Sequence, residues 1–210
     1  MNTRSAAFDA ELRARVASHL ARHDRREIAL DGRLSAAVAV TILAGDDGEP
    51  AFLLTRRAAR LARHAGQWAL PGGHVEPRET VADAARRELF EEVGLALGGE
   101  AVLGFLDDYA TRSGYVITPV VVWAAETERL VPDPREVASI HRVPLAVLEH
   151  PEVPRLRRIP ESDRPVISIP MVGTDVHAPT AAIVFQLREV AVHGRATRVD
   201  HFEQPVFAWR

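Results

Sequence analysis

Three glutamates lie close together with a spacing that suits the binding of a metal ion: Glu88, Glu91 and Glu92. Residues 81–93 are rich in helix-forming types, and a rotation of about 100° per residue places Glu88 and Glu92 on one narrow stripe beside Ala85. Carboxylates at positions i and i+4 repel each other, and partial burial makes each charge more unfavourable. A divalent cation would remove both problems. Oxygen ligands favour Mg²⁺ or Mn²⁺ over zinc, which prefers nitrogen and sulfur.

Both ends of this helix are marked in the sequence. Thr80 followed by Asp83 resembles a capping box and predicts the start. Gly94 predicts the end, because glycine readily adopts the left-handed conformation that closes a helix. For an arbitrary segment with these glutamates, the commonest interpretation is a solvated acidic helix face.

A longer pattern, from Gly73 to Leu95, argues against that interpretation. It reads G-H-V-E-P-R-E-T-V-A-D-A-A-R-R-E-L-F-E-E-V-G-L. This pattern resembles the Nudix box in its first glycine, in the glutamate six positions later and in the run R-E-L-F-E-E-V-G-L. Every fixed position of that family motif is filled. The resemblance implies an α/β/α sandwich with a mixed sheet, in which the box forms a loop, a helix and a loop.

The resemblance also implies roles for individual residues. The metal ligands would be Glu88, Glu91, Glu92 and the carbonyl oxygen of Gly73. Arg87 would orient the carboxylates, with Glu79 as its partner. A glutamate near the metal or on a later loop would take the proton from the attacking water, and Glu136 is the candidate on a loop.

A second pattern precedes the box. Residues 53–58 read L-L-T-R-R-A, Gly66 follows, and residues 70–73 read L-P-G-G. This pattern is similar to the signature of coenzyme A diphosphatases, and the resemblance to that subfamily extends over residues 34–148. Two positions differ, since Ala62 stands where the signature has arginine and Leu70 where it has phenylalanine. The resemblance implies hydrolysis of coenzyme A to 3′,5′-ADP and 4′-phosphopantetheine.

The segment between the two motifs is rich in arginine. Guanidinium groups bind phosphate oxygens in a bidentate manner, which suits a diphosphate substrate beside a metal site. The expected substrate-binding residues are Arg56, Arg57, Arg63, Gly72 and Gly73. Arg57 is the strongest candidate because it matches the signature. The alternative is that several of these arginines are solvated or paired with surface carboxylates.

Two other functions remain open. The first is a different substrate: ADP-ribose, a sugar nucleotide or a dinucleoside polyphosphate. The differences at Ala62 and Leu70 keep this alternative open. A Nudix-like domain can also act as a ligand sensor without turnover. Such domains typically lose glutamates of the box and carry a DNA-binding module, whereas this sequence keeps every glutamate and shows no basic helix-turn-helix segment.

Composition limits the partners. The formal charge of −3 gives no reason to expect nucleic acid or an anionic membrane. The absence of cysteine excludes disulfides, a thiol nucleophile and a cysteine zinc site. No apolar leader and no apolar run of membrane-spanning length is present. We therefore expect a cytoplasmic protein that acts on a small nucleotide, and a homodimer is compatible with the sequence.

Hydrophobic patterning predicts the order of the elements. A helix is expected over residues 6–23, where Phe8, Leu12, Val16 and Leu20 recur every four residues. Strands are predicted at 34–44, 51–56, 101–109, 115–125, 136–143 and 166–171, and helices at 81–93, 145–149 and 180–192. Residues 151–164 are expected to wrap over the surface. The predicted organisation is a helical extension (1–30), a Nudix domain (31–194) and a C-terminal extension that docks on it (195–210).

Isolated histidines and aromatic residues are expected to be structural. His64, His74 and His177 are three of nine histidines, a number at which single occurrences are unremarkable. Trp68 and Tyr115 have types that stack on an adenine, but an aromatic residue beside a glycine more often packs within the protein.

Overall fold

The computed structural model describes residues 7–61, 65–125 and 130–209. The strands are β1 (Leu34–Ala44), β2 (Pro50–Arg57), β3 (Trp68–Ala69), β4 (Gly72–His74), β5 (Val102–Phe105), β6 (Tyr109–Ala110), β7 (Tyr115–Ala124), β8 (Val137–Pro144), β9 (Arg155–Ile159), β10 (Ser162–Met171) and β11 (Thr174–His177). The helices are α1 (Ala10–Arg22), α2 (Val81–Val93) and α3 (Thr180–Gln186), which continues as a π-helix over Leu187–Val192. Short 3₁₀ helices occupy Gly99–Ala101, Leu145–Glu149 and Val206–Ala208.

The first eight strands form one mixed sheet. Its order is β3-β2-β1-β7-β5, and β4 pairs with β1, β6 with β7 and β8 with β2. β1 and β7 are parallel, in a register that runs from Leu34 opposite Tyr115 to Leu43 opposite Ala124. The predicted α/β fold, a mixed sheet between helices, is therefore confirmed.

β1 is the central strand because both of its faces are covered. Ala37, Ala39 and Leu43 belong to the hydrophobic cluster that contains the buried face of α2. Val40 and Ile42 belong to the cluster on the other face, which contains α1 and α3. A strand buried on both faces has a nearly continuous apolar sequence rather than an alternating one. This explains why the pattern L-S-A-A-V-A-V-T-I-L-A predicted a buried strand.

α1 packs on the body of the protein. Its N-cap is Asp9, whose Oδ1 accepts a hydrogen bond from the Leu12 N–H at 2.9 Å. Leu12, Val16 and Leu20 are buried in the cluster that also holds α3, and the Phe8 ring stacks on Trp123 at 4.2 Å. The four-residue spacing of apolar residues thus identified the face that is buried. The domain boundaries at residues 30 and 194 stay predictions.

The structure adds one strand that the sequence did not predict and divides another. Residues 151–164 are mostly exposed, as expected for a surface segment, but β9 and the start of β10 form a separate three-stranded sheet with β11. The side chains of β9 are mostly exposed and include three arginines. Its backbone hydrogen bonds to β10 stabilise it rather than apolar burial, so no hydrophobic pattern announced the strand.

The strand predicted over residues 101–109 is also divided, into β5 and β6. Between them, the Asp107 carboxylate accepts a hydrogen bond from the Arg26 N–H at 2.9 Å, and Asp108 accepts one from the Ile28 N–H at 3.0 Å. These carboxylates bind the segment that follows α1. The break in the strand is therefore set by contacts with residues some eighty positions earlier.

The C-terminal residues are attached to the sheet by buried polar groups. Glu203 accepts hydrogen bonds from the Ser162 hydroxyl at 3.0 Å and from the Gln204 N–H at 2.9 Å, and it forms an ion pair with Arg112. Tyr109 donates its hydroxyl proton to the Phe202 carbonyl oxygen at 3.1 Å. Within the described ranges, no helix has the length and apolar character needed to cross a membrane.

We expect Glu203→Gln to destabilise the protein at neutral pH. Despite the opposing effect of burial, the hydrogen bonds and the Arg112 guanidinium lower the pKa of Glu203 from 4.5 to about 2. A lowered pKa stabilises the folded state fully above pH 4.5, and this stabilisation is lost as the pH falls towards 2. The shift corresponds to about 3 kcal/mol of unfolding free energy. Urea denaturation at pH 7 and pH 3 measures the unfolding free energy, and the difference in this quantity between variant and wild type should be smaller at pH 3. Exposed Glu161→Gln is the control, and an equal difference at both pH values would contradict the prediction.

Candidate functional site

Two short elements bring the box residues together. β4 pairs with β1, with Gly72 opposite Val38 and Gly73 opposite Ala37. α2 follows β4 and begins at its N-cap Thr80, whose hydroxyl accepts the Asp83 N–H at 3.1 Å. It ends at Gly94, which has a left-handed φ of 73°. The predicted start and end of the helix are both confirmed.

The two glycines of β4 allow very close contacts. A Cβ on Gly72 would lie 2.3 Å from the carbonyl oxygen of Ala37, and a Cβ on Gly73 would lie 2.3 Å from Glu88 Oε1. These distances are far below van der Waals contact, so a side chain is excluded at both positions as the structure stands. Neither residue is among the glycines with positive φ. Their requirement is therefore one of space.

Glu92 is a buried carboxylate next to this backbone. Its side chain is 3 % exposed, its Oε1 accepts the Gly72 N–H at 3.4 Å, and Arg57 Nη1 lies 3.9 Å from the same oxygen. Burial raises the pKa of Glu92 to about 8, and the nearby charges of Glu88 and Glu136 raise it further, against the effect of Arg57. Burial also raises the pKa of Glu88, although Arg87 acts against this shift. The negative charge of both groups is disfavoured in this site.

Arg87 connects the loop before α2 with the carboxylates on the helix. Its Nε donates to Glu79 Oε1 at 2.9 Å and its Nη2 to Glu79 Oε2 at 3.1 Å. Its Nη1 donates to Glu88 at 2.8 Å and to Glu91 at 3.0 Å, and Nη2 also reaches the His74 carbonyl oxygen at 2.9 Å. The hydrogen bond from Arg87 lowers the pKa of Glu79. This geometry is what a residue that orients the carboxylates requires.

Glu136 lies close to the same carboxylates, although it is 44 residues further along the chain than Glu92. Its carbonyl oxygen accepts the Ala58 N–H at 2.8 Å, and its own N–H donates to Asp133 at 3.0 Å. Its charge is near enough to raise the pKa of Glu88 and of Glu92. Pairing of β2 with β8 causes this approach, since it places Arg57 opposite Val137.

The arginines that were expected to bind substrate are not all together. Arg57 is half-buried near Glu92, and its Nε has no hydrogen-bond partner within the described part of the chain. Arg56, the preceding residue of β2, lies over the Trp68 ring at 5.8 Å and donates to the Gly66 carbonyl oxygen at 3.4 Å. Successive side chains of a strand point to opposite faces, which separates the two. Arg63 lies outside the described residues.

The donor chemistry of this site fits a divalent cation, but the ligands do not converge as they stand. Glu88 and Glu92 are carboxylates whose charge is disfavoured by burial, and each is affected further by neighbouring acids. A cation would reverse that effect. Within the described residues, no three His, Asp or Glu side chains are arranged so that they could hold a metal ion. Glu91, the third expected ligand, is paired with Arg87 instead.

A cleft of about 730 Å³ opens next to β4 on the face of the sheet opposite α2. It begins at Arg57, Gly72 and Gly73 and passes over β1 to the turn before β7. The side chains from α3, from the turn and from the C-terminal segment that line it are Pro179, Thr180, Ile183, Thr111, Arg112, Ser113, Tyr115, Gln204, Ala208 and Trp209. The buried carboxylates and the cleft thus lie on two sides of β4 and share its backbone.

Arg112 and Trp209 are two cleft residues that the sequence did not single out. They are 97 residues apart in the chain, and the Arg112 guanidinium lies over the Trp209 ring at 4.8 Å. Neither belongs to a recognisable motif. The unusually aromatic end of the sequence, with Phe202, Phe207 and Trp209, was the one signal that this segment packs on the protein.

The chain belongs to the Nudix family, because a family model described as "NUDIX domain" matches residues 33–163, more than half of its length. Nudix hydrolases generally use divalent metal ions. The fold also resembles a MutT/nudix family protein from Enterococcus faecalis, with a TM-score of 0.52 and 16% identity over 87% of this chain and 68% of that one. At this identity the likeness supports the fold alone.

Curated relatives share more of the sequence. An uncharacterized Nudix hydrolase NudL from Photorhabdus laumondii is 39% identical over 117 residues, which are 55% of this chain and 62% of the relative. A NudL from Pectobacterium atrosepticum is 41% identical over 97 residues, which are 46% of this chain and 50% of the relative. The match therefore spans one half to three fifths of the length of these relatives.

We expect alanine at the two glycines of β4 to have different effects. In Gly72→Ala the new Cβ meets the backbone of β1, which cannot move without breaking strand pairing, so the melting temperature should fall by several degrees. In Gly73→Ala the Cβ meets the end of the Glu88 side chain, which can rotate away. This variant should keep its melting temperature but lose activity. Thermal unfolding and turnover of both variants test the difference, and equal destabilisation would contradict it.

We expect Glu92→Gln to stabilise the protein at alkaline pH in the absence of metal. The folded-state pKa of about 8 lies above the ordinary 4.5, so stability is greatest below pH 4.5 and is lost as the pH rises through 8. The amide variant removes that loss. Melting temperatures in EDTA at pH 5 and pH 9 should show the variant gaining on wild type at pH 9, while Glu161→Gln shows no such gain. If the difference in melting temperature between wild type and variant is the same at pH 5 and pH 9, the raised pKa of Glu92 is disproved.

Proposed function

We propose that this chain hydrolyses the diphosphate anhydride of a nucleoside diphosphate linked to another moiety, with coenzyme A as the preferred substrate. One observation carries the proposal. The Gly72–Gly73 backbone is shared by a cleft large enough for a nucleotide and by a group of buried carboxylates whose charge is disfavoured without a cation. The family relationship and the complete set of box glutamates support the same conclusion.

Glu88, Glu91, Glu92 and the Gly73 carbonyl oxygen would hold a divalent ion, Mg²⁺ or Mn²⁺. Such an ion supplies neutralisation of the diphosphate charge and a lower pKa for the attacking water when it is bound. In this proposal Arg87 keeps Glu88 in position through the hydrogen bond described above. Glu91 would serve as a ligand once its own hydrogen bond to Arg87 is released.

The remaining residues act on the substrate and on water. Arg57, half-buried beside Glu92 and part of the cleft lining, is placed to bind a phosphate oxygen through the exposed part of its guanidinium. Glu136 is the candidate base that takes a proton from water as the water oxygen attacks phosphorus. The bond between that phosphorus and the bridging oxygen then breaks. With coenzyme A, the products are 3′,5′-ADP and 4′-phosphopantetheine.

The proposal favours coenzyme A over other diphosphates because the motif before the box resembles the signature of coenzyme A diphosphatases. Arg57 fits both the motif and the position between cleft and carboxylates. Leu70, where the signature has phenylalanine, is buried in the lining of the cleft, so this difference changes the shape of the substrate site itself. ADP-ribose, sugar nucleotides and dinucleoside polyphosphates are therefore the alternative substrates. A sensor without turnover is disfavoured by the intact glutamates.

Product analysis tests this proposal. Wild type incubated with Mg²⁺ or Mn²⁺ should release 3′,5′-ADP from coenzyme A faster than it hydrolyses ADP-ribose or diadenosine polyphosphates. Glu92→Gln should lose turnover by at least about a hundredfold while remaining folded, because a box ligand is removed. Exposed Glu161→Gln should keep wild-type activity.

The other outcomes are equally informative. Faster hydrolysis of ADP-ribose would keep the diphosphatase activity and overturn the preference for coenzyme A. Absence of turnover on every substrate, in a preparation that still binds nucleotides, would overturn the enzyme and favour the sensor.

A further inference from the structure

The cleft has a second end, remote from the carboxylates, that the proposed chemistry does not use. In register along β1, Gly72 lies opposite Val38, whereas Tyr115 lies opposite Leu34. Four residues of strand correspond to about 13 Å. A nucleotide extends over a distance of this order between its diphosphate and its base. The remote end is therefore where the base of a substrate held at Arg57 would arrive.

Aromatic rings in fixed orientations form this end. The Trp209 Nε1–H donates to the Gln204 carbonyl oxygen at 2.9 Å, and the Arg112 guanidinium lies over the indole. The Tyr115 ring meets His74 edge to face at 5.1 Å. Rings that are already held in place lose little conformational freedom when a ligand binds, which favours stacking.

The charge at this end favours an uncharged group over a second phosphate. Arg112 is the cation there, and the buried Glu203 carboxylate neutralises it through two hydrogen bonds. The backbone N–H of Arg112 is also occupied, by Gln204 Oε1 at 2.7 Å. Of the described side chains that line the cleft, none is Asp or Glu. A neutral, flat and aromatic surface suits a heteroaromatic base.

We propose that the turn before β7 and the C-terminal segment form a nucleobase subsite, in which Tyr115 and Trp209 supply the stacking surfaces. The inference rests on the proposed function for the identity of the ligand as a nucleotide. It assigns a binding role to the C-terminal segment, which is held over the cleft by the ion pair of Arg112 with Glu203. Trp209 is then a specificity-determining residue that lies 117 positions beyond the last box glutamate.

Binding of AMP, measured without turnover, tests this subsite. Titration of wild type with AMP should quench tryptophan fluorescence and give heat in calorimetry. Trp209→Ala should weaken AMP binding by about tenfold or more, since stacking on one aromatic ring contributes on this scale. Trp209→Phe keeps a ring and should remain within about threefold of wild type. Binding of inorganic pyrophosphate, which has no base, should be the same in all three proteins.

A control variant separates loss of the ring from loss of folding. Trp123 stacks on Phe8 in the core, away from the residues that line the cleft. Trp123→Phe should therefore keep AMP binding and the quenching by AMP, whereas Trp209→Phe should keep binding and lose much of the quenching. Thermal unfolding confirms that each variant is folded. In turnover of a nucleotide substrate, Trp209→Ala should raise KM and leave kcat within about threefold.

The outcomes for the subsite differ from those for the proposed function. AMP binding that is equal in wild type and Trp209→Ala, or absent from wild type at millimolar AMP, overturns the subsite even if diphosphates are hydrolysed. Trp209-dependent AMP binding supports it even if no diphosphate is hydrolysed, in which case the enzyme assignment alone fails. Equal weakening of AMP and pyrophosphate binding by Trp209→Ala also overturns it, because a stacking residue discriminates between them.

Discussion

The close approach of β4 to its neighbours is the constraint on which the site depends. Gly72 lies against the β1 backbone and Gly73 against the Glu88 carboxylate, at distances that leave no space for a Cβ. This contact places the β4 backbone between β1 and the carboxylates in the second half of α2. The Gly72–Gly73 backbone can therefore contact a diphosphate on one side and the acidic side chains on the other. A side chain at Gly72 would push β4 away from β1, and one at Gly73 would displace the Glu88 carboxylate.

The second constraint is electrostatic. Burial of Glu92 and Glu88 makes their charged forms unfavourable, and an apolar helix face would stabilise the fold more. The protein retains both carboxylates. Arg87 holds Glu88 and also donates to Glu79 and Glu91, whereas Glu92 accepts a hydrogen bond from the Gly72 N–H. Groups with strongly shifted pKa values, assembled in this way beside a cleft, are typical of functional sites. A cation bound here would stabilise the folded state, and metal binding would then be coupled to stability.

The two faces of the sheet carry different parts of the site. α2 covers one face and carries the acidic residues, while α3, the turn before β7 and the C-terminal segment surround the cleft on the other. The faces meet at β4 and at Arg57, the last residue of β2. The Arg112–Glu203 ion pair fastens the C-terminal segment to this arrangement. A chain segment far from the box therefore forms part of the cleft wall.

The sequence alone determined the elements whose information is local. The apolar run of β1 and the capping residues Thr80 and Gly94 predicted what the structure contains, because periodicity and caps depend on neighbouring residues. Tertiary structure decided the rest. The alternation of side chains along β2 separated Arg56 from Arg57, and the pairing of β2 with β8 brought Glu136 to the carboxylates. Hydrogen bonds to the segment after α1 divided the strand predicted over residues 101–109. The ion pair of Arg112 with Glu203 placed the C-terminal segment, with Trp209, in the cleft. Such contacts join residues distant in sequence, and their partners leave no pattern in either segment by itself.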